Sequence, residues 1–97
     1  MTEDNDKVKK LRQEITRSEQ ELARMKEIAA GMDKDRAVRH GSAVDDLEFK
    51  LQDAKLHLNI LLDTSEEGRP EKLKETEEVL SDLARNMEQA RVQMEAG

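Results

Sequence analysis

Three stretches of this chain place apolar residues at alternating intervals of three and four. The first runs Val8, Leu11, Ile15, Ser18, Leu22, Met25, Ala29, Met32; the second Val44, Leu47, Leu51, Ala54, Leu58, Leu61; the third Leu73, Thr76, Leu80, Leu83, Met87, Ala90, Met94. Of these 21 positions 19 are apolar, where an overall apolar content of 35% would put about seven there. A repeat averaging 3.5 residues holds one stripe of a helix against its neighbours, so each stretch reads as a helix with a coiled-coil-like seam. A strand would need period two, and Leu56, Leu58, Ile60 and Leu62 do alternate, but that alternation is two helical stripes on opposite faces where they interleave.

The breaks divide the chain into three. Glu3/Lys7 and Asp6/Lys10 are acid-before-base pairs four apart, a favourable order on a helix surface. Helix 1 therefore starts near residue 4, and it has two candidate stops. Gly31 would end it near residue 30; His40-Gly41 would end it near 39, with Gly41 just past the cap. Ser42, with Asp45 three residues on, resembles a capping arrangement, and predicts helix 2 over about 43–63. "TSEEGRPEK" is the second connection. Pro70 suits the first helical position, where its missing N–H costs nothing, and helix 3 is expected over about 70–95. Short connections make the helices antiparallel neighbours. The expected fold is all-α, a single domain over 1–97: an up-down-up, antiparallel three-helix bundle with coiled-coil-like, spectrin-like packing. One long extended coiled coil is the weaker alternative, because Gly41, Gly68 and Pro70 interrupt the chain at two points.

Composition fits that reading and narrows function. Charged residues make up 41%, and Phe49 is the only aromatic. That is thin for a globule but enough for helices that each bury one stripe. The net charge is −6; residues 1–30 balance, residues 42–69 carry −4 and residues 70–97 carry −3. With no basic half and no stacking platform, a nucleic-acid partner is not expected. Cysteine is absent, which fits a reducing compartment. "MTEDNDKVKK" has no apolar leader, and no run approaches a membrane span, so a cytoplasmic chain without a membrane partner is expected.

Chemistry-bearing patterns are sparse. His40 and His57 belong to no metal-ligand spacing. Asp45-Asp46 and Glu77-Glu78 are adjacent pairs, and neighbours on a helix diverge by ~100°, so they read as solvated faces. No metal, cofactor or catalytic activity is expected. The methionines on the seams read as core filler. Lys7, Lys9, Lys10 and Arg12 form one basic cluster, either a helix surface neutralised by Glu3, Asp4 and Asp6 or a patch for an acidic partner.

Helix 2 carries more than its seam requires. With Leu51 as zero, Leu47, Ala54, Leu58, Leu61 and Leu62 lie within about 80°, whereas Phe49, Leu56 and Ile60 lie near ~160°, ~140° and ~180°. Asp46, Asp53 and Asp63 border this second stripe. A helix meeting two partners in a bundle needs no apolar residue opposite its seam. The stripe thus reads as a contact surface with an acidic rim, or as a face covered by the N-terminus or by the 31–41 connection.

The same residues resemble the tubulin-binding cofactor A family. "VKKLRQEITRSEQE" (Val8 to Glu21) is similar to that family's VK(R/K)L..E…Y.KE opening, matching at Val8, Lys9, Lys10, Leu11, Glu14, Glu19 and Glu21, with Ser18 in place of Tyr. "LQDAKLHLNILLD" resembles L(E/Q).A.L.L..(I/L)LE at Leu51, Ala54, Leu56, Leu58, Leu61 and Leu62. "EKLKETEEVLSDL" resembles E.(Y/L)KEA..VLDS(V/L) at Glu71, Leu73, Lys74, Glu75, Val79 and Leu80. The chain departs from the pattern at the start of helix 2, which is shorter and lacks the E-S-x-x-(M/L)-(I/L)-P motif. The resemblance covers little more than half of the chain, all of it heptad-rich.

It implies a divergent, cytoskeleton-associated chaperone that binds β-tubulin through helix faces and holds it during assembly of the α/β dimer, without nucleotide or metal. Phe49, Leu56 and Ile60, with Asp53 and His57 at their rim, are then the expected partner-binding residues, with Lys9 and Lys10 as further candidates. Two alternatives are an adaptor such as a small-GTPase-binding coiled coil, whose basic Gly-Ala turn this chain lacks, and a homo-oligomer paired through the helix 2 stripe. Monomer and homodimer both stay open.

Overall fold

A computed structural model describes the backbone of residues 2–96 and side chains from residue 6 onward. Three helices, α1 (Thr2–Ala30), α2 (Lys34–Asp63) and α3 (Arg69–Ala96), form an antiparallel up-down-up bundle. All three pack against one another, and α2 meets each neighbour more extensively than α1 meets α3. The body measures 51 × 18 × 16 Å. No helix among the described residues is long and apolar enough to cross a membrane.

The seams become the core. Eighteen of the 21 seam positions are buried, and the other three, Val8, Ala29 and Met32, are partly buried against that core near the bundle's ends. Ser18 and Thr76, the two polar seam residues, are buried with them. Thr76 is fully enclosed, and its hydroxyl donates to the Lys72 carbonyl at 2.8 Å, which satisfies it within its own helix. Ion pairs fix how α1 and α2 align. Lys26 Nζ meets Glu48 Oε1 and Lys55 Nζ meets Glu19 Oε2, both at 2.8 Å. Two residues one heptad apart on α1 thus meet two residues one heptad apart on α2, running in opposite directions. These pairs are exposed and each adds at most about 1 kcal/mol, so they select register more than they stabilise.

The first connection decides between the two candidate stops of helix 1 and corrects the expected start of helix 2. Helix 1 stops at Ala30 rather than at 39, and α2 begins at Lys34 rather than near 43. Gly31 N–H donates to the Glu27 and Ile28 carbonyls, Met32 N–H donates to Ala29, and the chain then turns. Asp33 is the true N-cap: its backbone is extended and its carboxylate accepts from Arg36 N–H at 2.9 Å. Gly41 and Ser42 lie inside α2, so Ser42 caps nothing. No glycine among the described residues takes a positive φ, so neither Gly31 nor Gly41 is a left-handed cap. Extending the seam of α2 backward from Val44 by four reaches His40, which is buried. That added turn of packed helix outweighs the ~1 kcal/mol that a mid-helix glycine costs.

At the other end, Thr64 closes α2. Its N–H donates to Leu61 and its hydroxyl donates to the Ile60 carbonyl. The turn through Gly68 follows, and α3 starts at Arg69, with Pro70 in the first turn where no intrahelical donor is lost.

Candidate protein-docking face

The outer face of α2 is built by the same heptad that builds the core. Residues midway between successive seam positions point directly away from α1 and α3. Phe49 and Leu56 hold equivalent places one heptad apart on that outer line, and Ile60 follows Leu56 by one turn. The structure leaves Phe49 75%, Leu56 56% and Ile60 42% exposed. Neither the N-terminal segment from Asp6 onward nor the 31–33 turn covers them, and residues 34–41 continue α2 itself. Val38, at 72% exposed, continues apolar character toward the start of the helix.

Leu62 corrects the straight-helix projection that placed it on the seam side. It is exposed, because the supercoiled seam follows a 3.5-residue period and drifts ~20° per heptad from ideal α-helical geometry. Leu62 therefore falls to the flank while Leu61 is fully buried.

Polar residues frame the stripe. Asp53 lies between Phe49 and Leu56, and His57 lies at the edge, with Nε2 3.6 Å from Asp53 Oδ2. That distance is too long for a hydrogen bond, and the contact is ionic only when the imidazole is protonated. His57 Nδ1 is buried without a partner. On the same edge Lys50 Nζ sits 3.2 Å from Asp46 Oδ2. Lys55, on the opposite edge, is committed to Glu19.

Five of the seven expected contact residues, Phe49, Asp53, Leu56, His57 and Ile60, thus share one helix surface. Lys9 and Lys10 do not join them. Both are on α1: Lys9 faces outward beside Arg12, Gln13 and Thr16, and Lys10 lines the crevice between α1 and α3. The basic cluster and the apolar stripe belong to different sides of the bundle.

A second concave surface was not foreseen. A furrow follows the α1/α3 crevice through two adjoining depressions that share Arg17, Ser18 and Ala84. Small side chains open it: Ser18 and Ala84 leave space where the neighbouring layers hold Leu and Met. Its walls mix Lys10, Arg17, Arg24 and Arg91 with Glu14, Glu21, Glu77 and Glu88. The Glu88 hydrogen bond at 2.9 Å, the charge of Glu88 and that of Glu95, with a smaller contribution from Glu21, hold the Arg91 guanidinium above its ordinary pKa. The signal in the sequence was one polar residue in the α1 seam, but the facing alanine comes from α3 and pairs with it only in the folded bundle.

Among the described residues no three His, Asp or Glu side chains converge as metal ligands would. What the α2 face offers is contact: apolar area, acidic flanks and a rigid support. Compared with known proteins, the chain matches no family model, no curated protein and no solved structure, so its resemblance to the tubulin-binding cofactor A family rests on the residues quoted above alone.

Proposed function

We propose that this protein is a binding module that works without catalysis, docking another protein on the outer face of α2, and that its client is β-tubulin. The observation that carries the docking reading is the exposed line of Phe49, Leu56 and Ile60, opposite a seam that already satisfies the bundle. Fully burying an aliphatic or aromatic side chain of this kind is worth about 1.5–3 kcal/mol, and the fold gains little of that from these three. A protein partner that covers them gains it instead. Choice of β-tubulin comes from the sequence resemblance. In that role a stiff helical body occludes an assembly surface of the client, in the cytoplasm, until the α/β dimer forms.

The homo-oligomer reading is disfavoured by the rim. A second copy laid on the same face would bring one aspartate-flanked stripe against another, and like charges across an interface oppose association. A GTPase-binding adaptor would use the same face, but no feature of the bundle favours it over another client.

The test is retention of purified β-tubulin on the immobilised full chain at micromolar concentration. Wild type is expected to retain it, and Phe49→Asp/Ile60→Asp to lose it while its urea midpoint stays unchanged. Absence of retention by wild type rules out the β-tubulin client. Equal retention by the double variant moves the site away from α2.

A further inference from the structure

We infer that the outer face of α2 is shaped for a cationic amphipathic helix, a segment with one apolar stripe flanked by Lys or Arg. This rests on the docking reading above and names the partner's chemistry. The argument starts from the charges around the stripe. From residue 45 to residue 63, the outward-pointing positions of α2 hold Asp45, Asp46, Phe49, Gln52, Asp53, Leu56, Asn59, Ile60 and Asp63. Four are acids and none is a base.

The local cations do not cancel them. Lys50 and His57 lie along one edge only, against Asp46 and Asp53, and Lys55 reaches across to Glu19 on α1. Among the described residues Asp45 and Asp63 have no ion-pair partner, and they mark the two ends of the stripe. The other helices lack this arrangement. On α3 the exposed Val92 stands with Arg85 and Glu95 rather than with acids alone, and α1 carries Lys9 on its outer side and Lys10, Arg17 and Arg24 along the furrow it shares with α3.

Dimensions point to the same occupant. Phe49 to Ile60 spans ~17 Å at 1.5 Å per residue, and Asp45 to Asp63 spans ~27 Å. That is the footprint of one docked helix of roughly three to five turns. Its apolar residues at i, i+3, i+4 and i+7 would meet Phe49, Leu56 and Ile60, and cations on its flanks would reach the aspartates. A standard protein–protein interface buries about 800 Å² per partner. Three side chains along one helix fall short of that, which fits a single docked helix rather than a broad surface. The charges decide against a second copy.

Two labelled peptide probes of about 18 residues test this, with identical leucine stripes and either lysine or glutamate elsewhere, titrated into the full chain by fluorescence anisotropy at ~0.15 M salt. The Leu/Lys peptide is expected to bind at least ~10-fold more tightly than Leu/Glu. Phe49→Asp/Ile60→Asp should weaken it ~10-fold or more. Because that variant adds two acids, its loss of a cationic ligand reports apolar contact rather than charge. Asp45→Lys/Asp63→Lys should erase the preference for lysine, and Val92→Asp on α3 should leave binding unchanged.

Equal or tighter binding of Leu/Glu overturns the charge assignment and leaves the docking reading standing. Failure of both peptides to bind wild type overturns this inference, and the docking reading is then decided by the β-tubulin retention test alone. Binding of Leu/Lys by all variants alike shows attraction to net charge and overturns the inference. So does self-association in sedimentation velocity that Phe49→Asp abolishes, which would assign the face to a second copy. Circular dichroism on each variant confirms that the bundle is intact.

Discussion

The two faces of α2 are equally helical and both rich in apolar side chains, yet they do different things. On the inner face Val44, Leu47, Leu51, Ala54, Leu58 and Leu61 are buried against two neighbours, and the bundle depends on them. On the outer face Phe49, Leu56 and Ile60 lie outside the buried core and stay exposed, so the fold gains little from them. The contrast teaches that apolar content alone does not mark a core. Position relative to the 3.5-residue seam decides which side chains hold the fold and which are left exposed.

The sharpest way to break this comparison is truncation on each side. Leu51→Ala removes a side chain only 3% exposed and should cost about 2–5 kcal/mol in urea unfolding. Phe49→Ala deletes a larger side chain and should cost less than about 0.5 kcal/mol. Comparable losses would mean that the outer stripe is part of the fold.

A smaller effect is expected at His40, the one polar interruption of the α2 seam. It is buried, and Nε2 has no hydrogen-bond partner. His40→Leu replaces an unsatisfied group with an apolar one and should raise stability by about 1 kcal/mol. A loss instead would show that the imidazole holds a contact worth keeping. Smaller again is Gly41→Ala. A methyl group there meets nothing within 4 Å and the backbone is helical, so a gain of about 0.5–1 kcal/mol is expected. Loss of stability would mean that the helix is not continuous through residue 41. The least effect belongs to Phe49→Asp, within about 0.5 kcal/mol of wild type by thermal or urea unfolding.

Much of the fold was legible because the seam is a local signal repeated along the whole chain. Every buried residue among those described, apart from His40, lies on it. His40 escaped notice because a histidine does not announce a core position, and the Gly41-Ser42 pair next to it looks like a break. The bundle overrides that local cost because a continuous α2 keeps Val44 and His40 packed and lets Asp33 cap the helix. Asp33 and Ser42 both have N-cap chemistry, so local signals alone do not separate the two candidate stops of α1.

The candidate site was legible in part for the same reason. Phe49, Leu56 and Ile60 can be placed opposite the seam by rotation alone, and Asp53 and His57 follow. Lys9 and Lys10 are visible as a cluster, but which side of the bundle they occupy depends on how α1 turns against α3. The furrow through Ser18 and Ala84 is a product of that pairing, which no single helix encodes. Leu62 shows the limit of a straight-helix projection once the helices supercoil.

The most direct test of the account is amide chemical-shift mapping of the ¹⁵N-labelled chain titrated with the Leu/Lys peptide. Perturbations concentrated on the outward positions between Asp45 and Asp63, with the inner seam and α3 little changed, are the predicted result. Perturbations that cluster along the α1/α3 furrow, or spread evenly over the bundle, would contradict it.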